Sequence, residues 1–163
     1  MENIQEVKVQ TKDWSNPTPA GLVALAAVCM CFFALLNGYL DTSKSGTLLV
    51  LGGWLIGGFV VQVIVGMLDL KSGNGTGGNT FLFFSAFFML TGGLEMFFKA
   101  GGGVDARIDG YAWLVLTLAL YLWTPAFCKS FSLLSLVVLA IVAALPFKTI
   151  LSFGVASPTF SAI

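Results

Sequence analysis

The chain has 163 residues, 57% of them apolar and only 10% charged, with a mean hydropathy of +0.92. A soluble domain carries roughly a quarter charged residues, so this composition excludes that class and points to a membrane protein. Net charge is zero without a basic cluster, which speaks against nucleic acid as a partner, and the absence of histidine removes the commonest general base and metal ligand.

Residues 1–15 are mostly polar and hold no apolar core of a secretory signal. They read as an N-terminal tail that stays attached, with residues 16–163 as one transmembrane domain. The tail meets the first apolar run at Asn16-Pro17-Thr18-Pro19-Ala20-Gly21-Leu22. Two prolines there remove backbone donors that lipid cannot replace, so a break lining a cavity is expected. A spanning helix needs about 20 mostly apolar residues. Segments at roughly 20–40, 47–68, 79–98 and 111–128 qualify, and a shorter one, 131–147, ends at Pro146. Thr149 to Ile163 is too short and too rich in Ser, Gly and Pro to span alone, and reads as a partial or re-entrant sixth segment. The expected fold class is therefore all-α: a polytopic membrane helix bundle with five transmembrane helices and a partial sixth. Lys8, Lys12, Lys71 and Lys129 fall on one side, and Lys44, Lys99, Arg107 and Lys148 on the other, a balance from which no orientation follows.

Cys29 and Cys31 in the first apolar run, and Cys128 near a helix end, have no metal-ligand spacing and read as small buried hydrophobes. No metal and no cofactor are expected. In the second helix Gly58, Gln62 and Gly66 recur every four residues, with Gly53 and Gly57 as a further small-residue pair. Such a stripe lets a neighbouring backbone approach and draws Gln62 into the contact. Gln62 is then either interhelical glue or a carboxamide exposed to a narrow aqueous path. Asp69, seven residues on, shares nearly the same face. Residues 73–78 are a glycine-rich interhelical turn; the basic residue of a phosphate-binding loop is missing. Asn79 and Thr80 open the third helix, where they could cap it or bond a ligand. Its phenylalanines at 81, 83, 84, 87 and 88 cover several faces. Glu95 lies well inside an apolar stretch, four residues before Lys99, so it reads either as an interfacial ion pair or as a proton-coupling carboxylate.

Three strings together resemble the acetate uptake transporter family, the succinate–acetate permeases. They are Asn16-Pro17-Thr18-Pro19-Ala20-Gly21-Leu22; Gly57-Gly58 with Gln62, followed by Gly66-Met67-Leu68-Asp69 and Lys71; and Gly78-Asn79-Thr80-Phe81. The likeness is specific over residues 16–84 and extends to residues 110–147 in helix pattern only. It implies a six-helix protomer that assembles as a homo-hexamer around a lipid-plugged or occluded axis. Each protomer would have its own path for small monocarboxylates, narrowed by apolar side chains of helices one, three and five. Leu25 takes the first of those positions, Met89 or Leu90 the second, and Leu136 or Leu139 are candidates for the third. Glu95 has no counterpart in the family pattern.

The leading expectation is a multi-pass transporter or channel of the plasma membrane for acetate and similar small monocarboxylates, with proton coupling through Glu95. Asn16, Gln62, Asn79 and Thr80 would supply donors to the substrate, and Leu25 and Met89 an apolar neck. Leu25 also has a plainer reading as ordinary helix packing. Alternatives are passage of a small neutral solute such as urea, ammonia or a protonated acid, and a non-transporting membrane assembly protein. No catalytic residue is expected: there is no histidine, no metal spacing and no paired-carboxylate motif.

Overall fold

A computed structural model describes residues 15–102, 105, 107–129 and 132–154. Among them are five helices long and apolar enough to cross a membrane. They are α1 (Thr18–Leu36), α2 (Ser45–Lys71), α3 (Gly75–Gly101), α4 (Arg107–Phe127) and α5 (Leu133–Ser152). With no strand among the described residues, the chain is an all-α, multi-pass membrane protein.

Several boundaries differ from the expectation, each for a local reason. Pro17 and Pro19 do not break a helix; they start one. Pro17 occupies the N-cap of α1 and Pro19 its first turn, where a missing N–H has no intrahelical partner to lose. The first helix also stops at Leu36, where the Asn37 amide and side chain both bond the Phe33 carbonyl. The turn before α3 shrinks to residues 72–74. Gly73 supplies its left-handed backbone at φ +84°, and the Asn74 side chain accepts from the Gly77 N–H at 3.0 Å. Gly75 to Gly78 are thus already helical, and Asn74 is the cap in place of Asn79 or Thr80. At the far end, α5 continues through Pro146 to Ser152, so Thr149 belongs to the fifth helix. The remainder of the expected sixth segment, after Gly154, and the tail before Ser15 lie outside the described residues.

In α3 the middle seven residues, Phe84–Leu90, form a π-helical stretch between Gly75–Phe83 and Thr91–Gly101. The wider ladder is supported by the Thr91 hydroxyl, which donates to the Ala86 carbonyl five residues back at 2.9 Å. Helix α2 is the centre of the first half, packed on α1 and along the whole of α3, while α4 pairs with α5. Two buried apolar clusters result. One gathers Leu25, Val28, Leu55 and Met89 from α1, α2 and α3. The other gathers Phe83, Phe84, Leu120, Val138 and Val142 from α3, α4 and α5.

Candidate functional site

The three strings that are far apart in sequence converge at one junction of α1, α2 and α3. Gly21 leaves room for the Phe81 ring, which lies where its Cβ would be. Gly66 and Gly78 meet backbone to backbone: a methyl on Gly66 would stand 3.0 Å from the Gly78 carbonyl oxygen. Gly58 similarly makes space for the Met89 sulfur, 2.8 Å from where a methyl would be. The register of Gly58, Gln62 and Gly66 thus faces the bundle interior as expected, but Gly53 and Gly57 do not; nothing among the described residues lies within 4 Å of where their side chains would start.

Gln62 is fully buried in this junction, and its Nε2 donates to the Gly21 carbonyl at 3.2 Å. Its Oε1 is buried with no hydrogen-bond partner among the described residues. Toward the same end of the bundle, buried Asp69 receives the Thr18 hydroxyl at 3.4 Å and the Asn74 carboxamide at 3.2 Å. That small network ties the start of α1 to the turn between α2 and α3. Thr80 is buried, but its hydroxyl is used within the helix, donating to the Thr76 carbonyl at 2.9 Å. Asn79 is exposed and donates to the Gly75 carbonyl at 2.8 Å; with Thr76, Trp123 and Ala126 it lines a small cavity of about 160 Å³. Asn16 is exposed and accepts from the Thr18 N–H at 3.0 Å. Of the four expected donors, only Gln62 is both buried and left with unmet hydrogen-bonding capacity.

Leu25 and Met89 are brought together in the first apolar cluster, both buried. Leu136 and Leu139 are not there: they are 49% and 38% exposed. The α5 residues packed against the cluster that holds Leu25 and Met89 are Val137 and Ile141. The helical register of α5 turns its other face inward, a choice that the unbroken apolar run from Leu136 to Leu145 does not reveal. Cys29 and Cys128, expected to be buried, are exposed.

A second polar group sits at the opposite end of α3. Lys99 forms an ion pair with Glu95 one turn before it and lies 4.0 Å from Asp109 Oδ2 of α4. Their side chains are 32%, 16% and 17% exposed respectively, so the cluster is mostly covered. Lys148 of α5 sits over the Trp113 ring, 5.8 Å from its centre, and interacts electrostatically with all three. The Glu95–Lys99 spacing was legible in sequence; Asp109 and Lys148 come from separate helices and carried no signal. By contrast the loop acids are ordinary surface groups. Asp105 is held down to about 2 by its hydrogen bonds to Arg107, and Asp41 is lowered by its bond from the Ser43 hydroxyl.

An open apolar groove of about 820 Å³ runs between α1 and α2, lined by Ala20, Ala24, Ala27, Gly53, Trp54 and Gly57 among others. Fold and sites together define a multi-pass helical membrane protein with a buried, incompletely satisfied carboxamide in its first three helices. Compared with protein-family models, curated proteins and solved structures, the chain matches none.

Proposed function

We propose that the chain is a plasma-membrane transporter or channel for acetate and similar small monocarboxylates, with the path following the α1–α2–α3 junction. The observation that carries this reading is the convergence of the three family-like strings at one junction, where Gln62 bonds Gly21, Phe81 fills the space at Gly21, and Gly66 meets Gly78. A buried amide with spare hydrogen-bonding capacity is costly in lipid unless something uses it. In this reading Gln62 is the polar station of the path, and Leu25 and Met89 are the apolar neck beside it. Leu25 lies six residues beyond Pro19, about 9 Å inside the membrane entrance.

The same reading makes the chain a homo-oligomer, a hexamer by resemblance. The groove of small residues between α1 and α2 supports this, since small side chains let a helix from another copy approach closely. Native mass spectrometry in mild detergent should give a multimer; monomer alone would count against it. The functional test is uptake of radiolabelled acetate into proteoliposomes. Uptake should exceed that of protein-free vesicles, Leu25→Ala should raise it and admit larger carboxylates, and Leu25→Phe should narrow it. A non-transporting assembly protein would give no uptake above the lipid background.

A further inference from the structure

Gln62 lies nine residues before the Lys71 end of α2, about 14 Å along the helix, so its side chain is at hydrocarbon depth. The group facing the Gly21 carbonyl oxygen must be the NH2, because the flipped amide would set two acceptors 3.2 Å apart. Oε1 is therefore fixed as the atom without a partner. The bond to Gly21 uses one of the two Nε2 hydrogens and is the one bond this nitrogen makes among the described residues. What the site lacks is a donor for Oε1 and, beside it, an acceptor for that remaining N–H.

A carboxylate anion cannot meet this pattern, since both of its oxygens only accept. A carboxylic acid can: its O–H donates to Oε1 while its carbonyl accepts from Nε2. The charges nearby favour the same ligand. Helix α1 has no charged residue, α3 has none before Glu95, and the first on α2 is buried Asp69, seven residues away and about 10 Å along the same face. Lys71 follows at the exposed helix end. Among the described residues of these three helices no cation stands beside Gln62 and the Asp69 carboxyl is the first charged group on its face, so an anion there would be desolvated without compensation.

Resting on the reading of the junction as a monocarboxylate path, we propose that Gln62 binds the protonated acid RCOOH and rejects the carboxylate. The proton then rides on the substrate, and passage is electroneutral without a side chain to relay it. Glu95 is released from the coupling role, and its ion-pair cluster serves to clamp α3, α4 and α5.

Infrared difference spectroscopy of the full-length protein with carbon-13-carboxyl acetate reads the protonation state of the bound ligand directly. At about pH 6, where bulk acetate is largely ionised, the bound ligand should give the carbonyl stretch of the acid. That band should be lost in Gln62→Leu, and acetate binding should weaken about tenfold for each pH unit above this as the acid fraction falls. Acetamide, neutral and carrying both a donor and an acceptor, should displace the acid from the unmodified protein, a measurement that does not depend on the variant folding. A bound ligand showing only the carboxylate stretch, or no competition by acetamide, overturns this assignment while leaving the acetate path standing. No bound acetate together with no uptake above protein-free vesicles overturns both.

Discussion

The two halves of the bundle are held together by opposite means. Where α2 meets α3, backbones touch: methyls on Gly52 and Gly93 would lie 2.9 and 3.1 Å from each other's carbonyl oxygens, and Gly66 repeats the arrangement with Gly78. Where α3 meets α4 and α5, backbone approach is sparse and rings fill the gap. Phe83 meets Trp123 edge-on at 5.8 Å, and Phe88 meets Trp113 at 6.3 Å. Lipid supplies no hydrophobic drive between helices, so each half must rely on contact packing. The glycine seam fixes register and height, because one added methyl strikes backbone. The aromatic seam fills volume and leaves more room for adjustment. Gln62, the side chain that must be aimed, is on the glycine side.

The contrast can be broken from either half. In the aromatic half Leu120 is fully buried, and Leu120→Ala should cost about 2–5 kcal/mol as the helices fail to close on the cavity. A thermal midpoint within a degree of the parent would mean that this seam is not packed as described. In the glycine half Gly66→Ala should cost about 1–3 kcal/mol, since its methyl meets the Gly78 oxygen and the Leu82 nitrogen, both at 3.0 Å. Gly53→Ala, facing open space on the same helix, should leave the protomer unharmed or slightly firmer. Equal losses at both positions in thermal melts would dissolve the distinction. If Gly53→Ala instead lowers the oligomeric state, the α1–α2 groove is identified as the contact between copies.

Smaller effects sharpen the second half. Thr117 and Thr149 face each other across α4 and α5 with hydroxyl oxygens 3.1 Å apart, and their two hydrogens are shared between that contact and the Trp113 and Leu145 carbonyls of their own helices. Thr117→Val should therefore cost only about 0.6 kcal/mol by double-mutant cycle with Thr149. The smallest change expected is at Asp105. Its folded value is depressed to about 2, so whatever the Arg107 pair contributes is fully present above the ordinary carboxylate range and is lost only as pH falls toward about 2. The pair is fully exposed, so Asp105→Asn should not measurably move the melting curve at neutral pH.

The five spans were legible because about 20 apolar residues in a row leave few alternatives in water or lipid. So was the inward face of Gly58, Gln62 and Gly66, which a four-residue period fixes. Reading helices as apolar runs failed at their ends. Gly75–Gly78 looked like a loop, yet those glycines are helical and two of them are buried against α2. The π-helical stretch at Phe84–Leu90 was invisible, because hydropathy does not register a shift in hydrogen-bond ladder. Asp109 and Lys148 were equally hidden: Asp109 is one of three charges around the start of α4 and Lys148 lies near the end of α5, and only the packing of three helices brings them to Glu95.

The central claim is that Gln62 is there for a substrate and not for the fold. The measurement that tests it most directly compares acetate uptake and thermal stability in Gln62→Leu. The Gly21 carbonyl lies within α1, where the backbone ladder offers it a partner, and removing Oε1 removes a buried unmet acceptor, so the variant should melt at or above the parent temperature. Its acetate uptake should fall to that of protein-free vesicles. A variant that folds as well as the parent and carries acetate at the parent rate would contradict the account.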